Sequence, residues 1–137
     1  MSLFNVFDIS GTALSAQSVR LNAISSNMAN ADVVSGSAET AYRARYPVFT
    51  SAYDAVSGNS DAVGVRVSGM VESKLAARQE YMPSHPMADE NGFIYMSNVN
   101  IVEEMANMIS ASRSYQSSVE AMNTTKQLIL RTLSLGR

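Results

Sequence analysis

Cysteine is absent from the 137-residue chain and histidine occurs once. Without cysteine there is no disulfide framework and no thiolate to serve as nucleophile or ligand, although this alone does not decide the compartment. The lone His85 lies between Pro83 and Pro86, with Asp89 and Glu90 nearby. A metal site needs further ligands at defined spacing, and the sequence supplies none, so no metal is expected. No serine sits in a Gly-x-Ser-x-Gly context, and no Gly-rich phosphate loop is present. The carboxylate pairs Asp89/Glu90 and Glu103/Glu104 fall at a turn and a helix start, where solvation or capping accounts for them. The expectation is therefore a chain that is not an enzyme, with no cofactor and no small-molecule substrate.

Charge and hydropathy exclude more. A net charge of -2 provides no basic field for nucleic acid. No run approaches the 18 or so consecutive apolar residues of a membrane span. The first eight residues, Met1 to Asp8, lack the basic leader and apolar core of a secretory signal. Any export is expected to proceed without a cleaved signal of that kind.

Charge is also scarce at the two ends of the chain. Between Met105 and Thr125 the only ionised side chains are Arg113 and Glu120, and from Ile9 to Ala31 the only one is Arg20. Both segments carry an apolar stripe that steps by four and three. In the C-terminal segment it runs through Ile101, Met105, Met108, Ser112, Tyr115, Val119, Met122, Lys126, Ile129 and Leu133. In the N-terminal segment it runs through Leu3, Phe7, Ser10, Leu14, Gln17, Leu21, Ile24, Met28 and Ala31. Such spacing keeps one face of a helix turned to a partner. The backs of these helices are Ser, Ala, Asn, Gln and Thr, where a water-facing helix normally carries Lys and Glu. Both look built to be touched on several sides.

The helix ends are legible too. Asn100 followed by Glu103 is a capping-box-like start, and Glu103 and Glu104 lie at the positive end of the helix dipole. Arg131, Gly136 and Arg137 suit the other end, giving a rod of roughly 50 Å. Gly11 lowers helix propensity by about 1 kcal/mol relative to Ala, so the firm N-terminal helix is expected from Thr12 to about Asn30, with the preceding turns separate or frayed.

Thirteen of the twenty-two charges fall between Asp32 and Glu90, together with the turn formers, which marks that stretch as an insertion. Ser35-Gly36-Ser37, Ser57-Gly58-Asn59-Ser60 and Asn91-Gly92 are its clearest turns. Residues 63–71 alternate as a half-buried strand does, with a bulge expected at Gly69. Residues 42–49 and 92–96 are weaker strand candidates. The Pro83 to Pro86 stretch predicts an extended connector, because each residue before a proline avoids the helical region. The fold expected is mainly α, with long antiparallel, coiled-coil-like N- and C-terminal helices and a small β-rich insertion. The corresponding boundaries are 1–32, 33–97 and 98–137.

Several motifs then carry a resemblance. The run from Leu14 to Asn30 (LSAQSVRLNAISSNMAN) resembles the N-terminal signature of bacterial flagellar rod and hook proteins. Tyr42-Arg43-Ala44-Arg45 with Pro47-Val48-Phe49, the run from Pro83 to Met96, and Asn98 through Met105 are similar to the proximal-rod members of that family. So are Ala111 to Gln116 and the ending Thr132 to Gly136. One departure is the loop after Asn30, where Val33 stands in place of the Thr of many relatives and Gly36 lies six residues before Tyr42.

The resemblance implies a structural subunit of the proximal rod of the flagellar basal body, exported through the flagellar type III apparatus into a rod that crosses the periplasm. It implies as partners other rod proteins, neighbouring copies of the chain and the export-gate or basal-body adaptor. On that reading the packing residues are Leu14, Leu21, Ile24, Asn27, Met28 and Asn30 in the first helix. In the second they are Ile101, Met105, Met108, Tyr115, Val119, Met122, Ile129 and Leu133. Asn27 and Asn30 could set register between subunits as a buried Asn does in coiled coils, or simply end a helix. The methionines suit a surface that meets differently arranged neighbours, and equally an ordinary core. The alternative to a rod subunit is a soluble coiled-coil adaptor or export-associated oligomer.

Overall fold

The computed structural model describes residues 3–52 and 63–135. The chain begins with helix α1 (Leu3–Ala29) and ends with helix α2 (Ile101–Leu135). Between them come strands β1 (Val34–Ser35), β2 (Arg45–Ala52), β3 (Gly64–Glu72), β4 (Arg78–Tyr81) and β5 (Phe93–Met96). The Ser57 to Ser60 turn and the C-terminal Gly136 and Arg137 lie outside the described residues.

The expectation of a mainly α chain is corrected by the strands, which make up 22% of the described residues. The molecule is two helices flanking a substantial sheet region. β2, β3 and β5 lie where strands were expected, whereas β1 and β4 were not expected. β4 reads Arg-Gln-Glu-Tyr with every residue exposed, so it has no apolar alternation to detect. β2 and β3 are likewise exposed at most positions, and what holds them is the backbone ladder rather than a buried face. β3 runs through Gly69 as one continuous strand.

Two compact units emerge. One comprises Met1–Leu21, Pro47–Gly69 and Ile109–Arg137; the other comprises Asn22–Tyr46 and Met70–Met108. We call them unit 1 and unit 2.

In unit 1, α1 runs from Leu3 through Gly11 without a break, against the expectation of a separate first piece. Tertiary contacts there offset the propensity cost of about 1 kcal/mol. A side-chain carbon at Gly11 would come within 3.8 Å of Met122 Cε of α2, ordinary contact distance. Thr12 Oγ1 donates to Ile9 O at 2.8 Å and accepts from Val65 N of β3 at 3.2 Å. That junction explains Gly64, where a Cβ would lie 2.7 Å from Thr12 Oγ1; only glycine lets strand and helix approach so closely. Ala16 and Ala111 are buried, and their small size suits the same close packing.

In unit 2, β5 lies between β1 and β4, antiparallel to both. The register pairs Val34 with Met96 on one side and Arg78 with Met96 on the other. Ile94 of β5 is buried, and a small core joins Ala31, Ala44 and Val99 with Tyr42 packed on it. The entry to β5 is built by Asp89. Its Oδ1 accepts from Asn91 N at 2.9 Å and Phe93 N at 2.8 Å, and its Oδ2 accepts from the Tyr95 hydroxyl at 3.1 Å. These donors, the Phe93 amide foremost, hold the Asp89 carboxyl below the usual carboxylate range. Gly92 turns with φ +80, as the expected Asn-Gly turn requires. His85 Nδ1 accepts from Met87 N at 3.1 Å, a local turn contact.

Candidate assembly interface

The polar and apolar side chains of the two helices are divided between those spent on the fold of the chain and those left exposed. In unit 2 the division is governed by one polar knot. Asn27 of α1 is fully buried, and its amide makes four hydrogen bonds. Its Nδ2 donates to Arg45 O at 3.0 Å and to Glu104 Oε2 at 3.3 Å. Its Oδ1 accepts from Arg45 N at 2.9 Å and from the Tyr42 hydroxyl at 3.1 Å. Glu104 of α2 is 1% exposed, and its Oε1 accepts from the Tyr46 hydroxyl at 3.1 Å. Burial first, and then the neighbouring Glu104 carboxylate, push the Tyr46 phenol up to about 12.

A second asparagine reinforces the knot. Asn98 Oδ1 accepts from Ala44 N at 2.8 Å, and its Nδ2 donates to Leu75 O at 2.9 Å. Asn100 caps α2: its Oδ1 accepts from Val102 N at 3.1 Å, and its carbonyl accepts from Glu104 N at 2.9 Å. Asn30, by contrast, turns its Nδ2 back to Ser26 O at 2.8 Å and closes the end of α1. All four bonds of Asn27 lie within the chain.

The expected packing residues divide by position. In α1, Ile24 and Asn27 are buried, while Leu14, Leu21, Met28 and Asn30 are half-buried. In α2, Met108, Val119, Met122 and Ile129 are half-buried. Ile101, Met105, Tyr115 and Leu133 are exposed, Leu133 by 66%. The inward row of α2 is therefore turned about its axis relative to the apolar stripe. Met108, Met122 and Ile129 belong to both, but the more buried flank is Glu104, Ala111 and Thr125 with Ser118 half-buried, whereas on the other flank Ser112 and Val119 are half-buried and Met105 and Lys126 exposed. Small residues win that flank because they let the backbone approach closely. Their seven-residue recurrence was the available signal, masked by the stronger hydropathy of the other flank. Glu104, Tyr42, Tyr46 and Asn98 were missed as a set, since only the fold brings them together.

Turning α2 this way leaves apolar side chains outside. Val102 is 76% exposed, Ile109 57% and Leu130 57%, with Met105 and Leu128 also open. Isolated apolar residues on a surface are ordinary, but this many along one helix are not.

Residues 7–36 match the family model described as flagella basal body rod protein, and residues 90–135 match that of the flagellar basal body rod FlgEFG protein C-terminal. The chain is 48% identical to the flagellar basal-body rod protein FlgC of Salmonella typhimurium and 50% identical to that of Yersinia enterocolitica, over the whole length of both partners in each case. The chain belongs to the FlgC family of flagellar basal-body rod proteins. The FlgC of Buchnera aphidicola from Acyrthosiphon pisum is more distant, at 39% identity over 99% of each chain. Both segments matched by the rod-family models contain most of a terminal helix, so membership rests on the same helices that leave apolar side chains exposed. Among the described residues no helix is long and apolar enough to cross a membrane, and no cluster of acidic or histidine side chains could hold a metal.

Proposed function

We propose that this rod-family chain is a structural subunit of the proximal part of the flagellar rod, and that it polymerises through the outward faces of α1 and α2. The reading assigns residues 1–32 and 98–137 to the helical core of the tube, and the 33–97 insertion to its periphery. Its partners are other rod proteins, copies of itself and the export-side adaptor of the basal body, reached by export without a cleaved signal into a rod that crosses the periplasm. A mechanical role needs no reacting group. It needs a subunit whose own fold is fixed and whose contact faces are not repelled by identical neighbours.

The observation that carries the reading is the set of apolar side chains left exposed along α2, Val102, Met105, Ile109, Leu128, Leu130 and Leu133, together with the stretch from Met105 to Thr125, whose only charges are Arg113 and Glu120. Subunits repeated around a helical array meet their own copies and relatives, so uncharged outer faces avoid like-charge contacts. The polar knot supports the reading from the other side, since it fixes unit 2 without using any of those faces.

Ile109→Glu tests it. The residue is 57% exposed, so the isolated chain should fold unchanged by circular dichroism. Inserting a carboxylate into a packed subunit contact costs several kcal/mol, so the variant should be absent from purified basal bodies and should fail to restore motility in cells lacking the wild-type chain. Normal incorporation of Ile109→Glu would remove this face of α2 from the assembly.

A further inference from the structure

Asn91-Gly92, at the entry to β5, is the only Asn-Gly pair in the chain; every other asparagine is followed by a residue that carries a Cβ. That pairing has a chemistry of its own. In an open chain the Gly92 amide nitrogen, once it has given its proton to base, attacks Asn91 Cγ. A new C–N bond closes a succinimide ring, and the side-chain nitrogen leaves as ammonia. Water then opens the ring to aspartate or isoaspartate, so the net change is hydrolysis of one amide. Glycine favours the step because it leaves the backbone free to turn and puts no side chain in the way.

In unit 2 the reacting atoms are held away from that path. Gly92 N donates to Asp89 O at 3.0 Å, so the nucleophile is engaged as a donor. Gly92 O accepts from Met82 N at 2.9 Å, which fixes the residue from its other end. Gly92 is buried, and a Cβ there would lie 3.0 Å from Tyr81 Cε2 and 3.1 Å from Pro83 Cβ, so the Tyr81 ring and Pro83 close over its backbone. Ring closure requires Gly92 N to swing toward Asn91 Cγ, and that motion breaks its bond to Asp89 O. The Asp89 carboxylate adds an electrostatic barrier. It accepts from the amides on either side, Asn91 N and Phe93 N, and the Gly92 amide also favours its charged form. A negative charge there opposes loss of a proton from the amide between them. Asn91 itself is exposed, so water and base reach it as soon as the turn opens.

We infer that Asn91 is a latent deamidation site held closed by the Asp89 turn, reactive in the unfolded chain and protected in the folded one. The rate in the folded chain is then the open-chain rate multiplied by the fraction of time that the turn is open. The product matters to the fold. Isoaspartate routes the main chain through side-chain carbons and so lengthens it just before Gly92, where Phe93 must pair with Tyr81 and donate to Asp89. A chain modified before it folds therefore loses the entry to β5. The inference concerns the chemistry of unit 2 and is independent of the rod-subunit reading.

The test is to incubate the full-length chain at mildly alkaline pH, in buffer and in guanidinium chloride, and to follow each asparagine by peptide mass spectrometry. In denaturant Asn91 should react faster than any other asparagine. In the folded chain it should react at least about tenfold more slowly than in denaturant. Asp89→Ala, with its fold checked by circular dichroism, should raise the folded rate at Asn91 at least about fivefold, in keeping with the loss of charge-assisted hydrogen bonds. Tyr95→Phe removes only the 3.1 Å bond to Asp89 Oδ2 and serves where Asp89→Ala does not fold; it should raise the rate about twofold or more. In both variants the other asparagines should keep their wild-type rates, which separates local opening of the turn from global unfolding. Equal rates at Asn91 in buffer and in denaturant would overturn the inference. So would a folded variant that reacts no faster than the wild type, or an acceleration shared by all the asparagines.

Discussion

Unit 2 and unit 1 use polar side chains in opposite ways. In unit 2, Asn27, Tyr42, Tyr46, Asn98 and Glu104 reach across from one element to another and are consumed in doing so. In unit 1, Thr12 reaches another element, at Val65 N of β3, whereas the hydroxyls of Ser10, Ser118, Thr125 and Thr132 bond to carbonyls four residues back in their own helices. A cross-element bond specifies one relative placement, because its partners are left buried and unpaired in any other. A hydroxyl bonded to its own helix specifies nothing beyond that helix and presents its carbon atoms to whatever packs there. The difference suits a subunit in which one region must be fixed and another must accept neighbours.

The sharpest way to break the comparison is Asn27→Ala. Removing the amide takes a partner from the Arg45 peptide N–H and from the Glu104 carboxylate, which is 1% exposed, while the half-buried Tyr42 hydroxyl keeps Ser26 Oγ at 3.3 Å. The expected loss is roughly 3 to 5 kcal/mol, the range for leaving buried polar and charged partners unsatisfied. Urea denaturation followed by circular dichroism measures it. A loss under about 1 kcal/mol would mean that the knot does not fix unit 2.

The two terminal helices and the cap at Asn100 were legible because helix periodicity and capping are local, written within a few residues of one another. The Asn91-Gly92 turn was legible for the same reason. The knot was not, since Asn27, Tyr42 and Glu104 are far apart in sequence and each has an ordinary local role available. The turn of α2 about its axis was not legible because hydropathy ranks Met105 above Ala111, whereas in the fold Ala111 is buried and Met105 exposed. β4 left no trace because the alternation rule reads buried faces, and it has none.

A smaller effect in unit 2 comes with alkali. An ordinary tyrosine ionises near 10.0, while the Tyr46 phenol in the folded chain holds its proton to about 12. Its contribution to stability is therefore complete below pH 10 and is lost as the pH rises through 12. The ring is 39% exposed, so water screens part of the interaction and the effect falls well short of losing Asn27. Stability of the wild type minus that of Tyr46→Phe, followed by denaturant unfolding from pH 8 to 12, should decline above pH 10. A flat difference would show that the Tyr46 to Glu104 bond adds nothing.

The smallest effect is expected in unit 1, at Thr125→Val. Thr125 is 5% exposed, and its hydroxyl donates to Ala121 O at 2.8 Å. That carbonyl lies within the run of α2 and keeps its helical acceptor role when the hydroxyl goes. Valine preserves the branched shape and removes donor and hydroxyl together, so no buried partner is orphaned. The change should alter stability by no more than about 1 kcal/mol, in either direction, in the same urea experiment. A loss approaching that of Asn27→Ala would mean that Thr125 also makes a specifying contact, and the contrast between a fixed unit 2 and a permissive unit 1 would fail at its most buried hydroxyl.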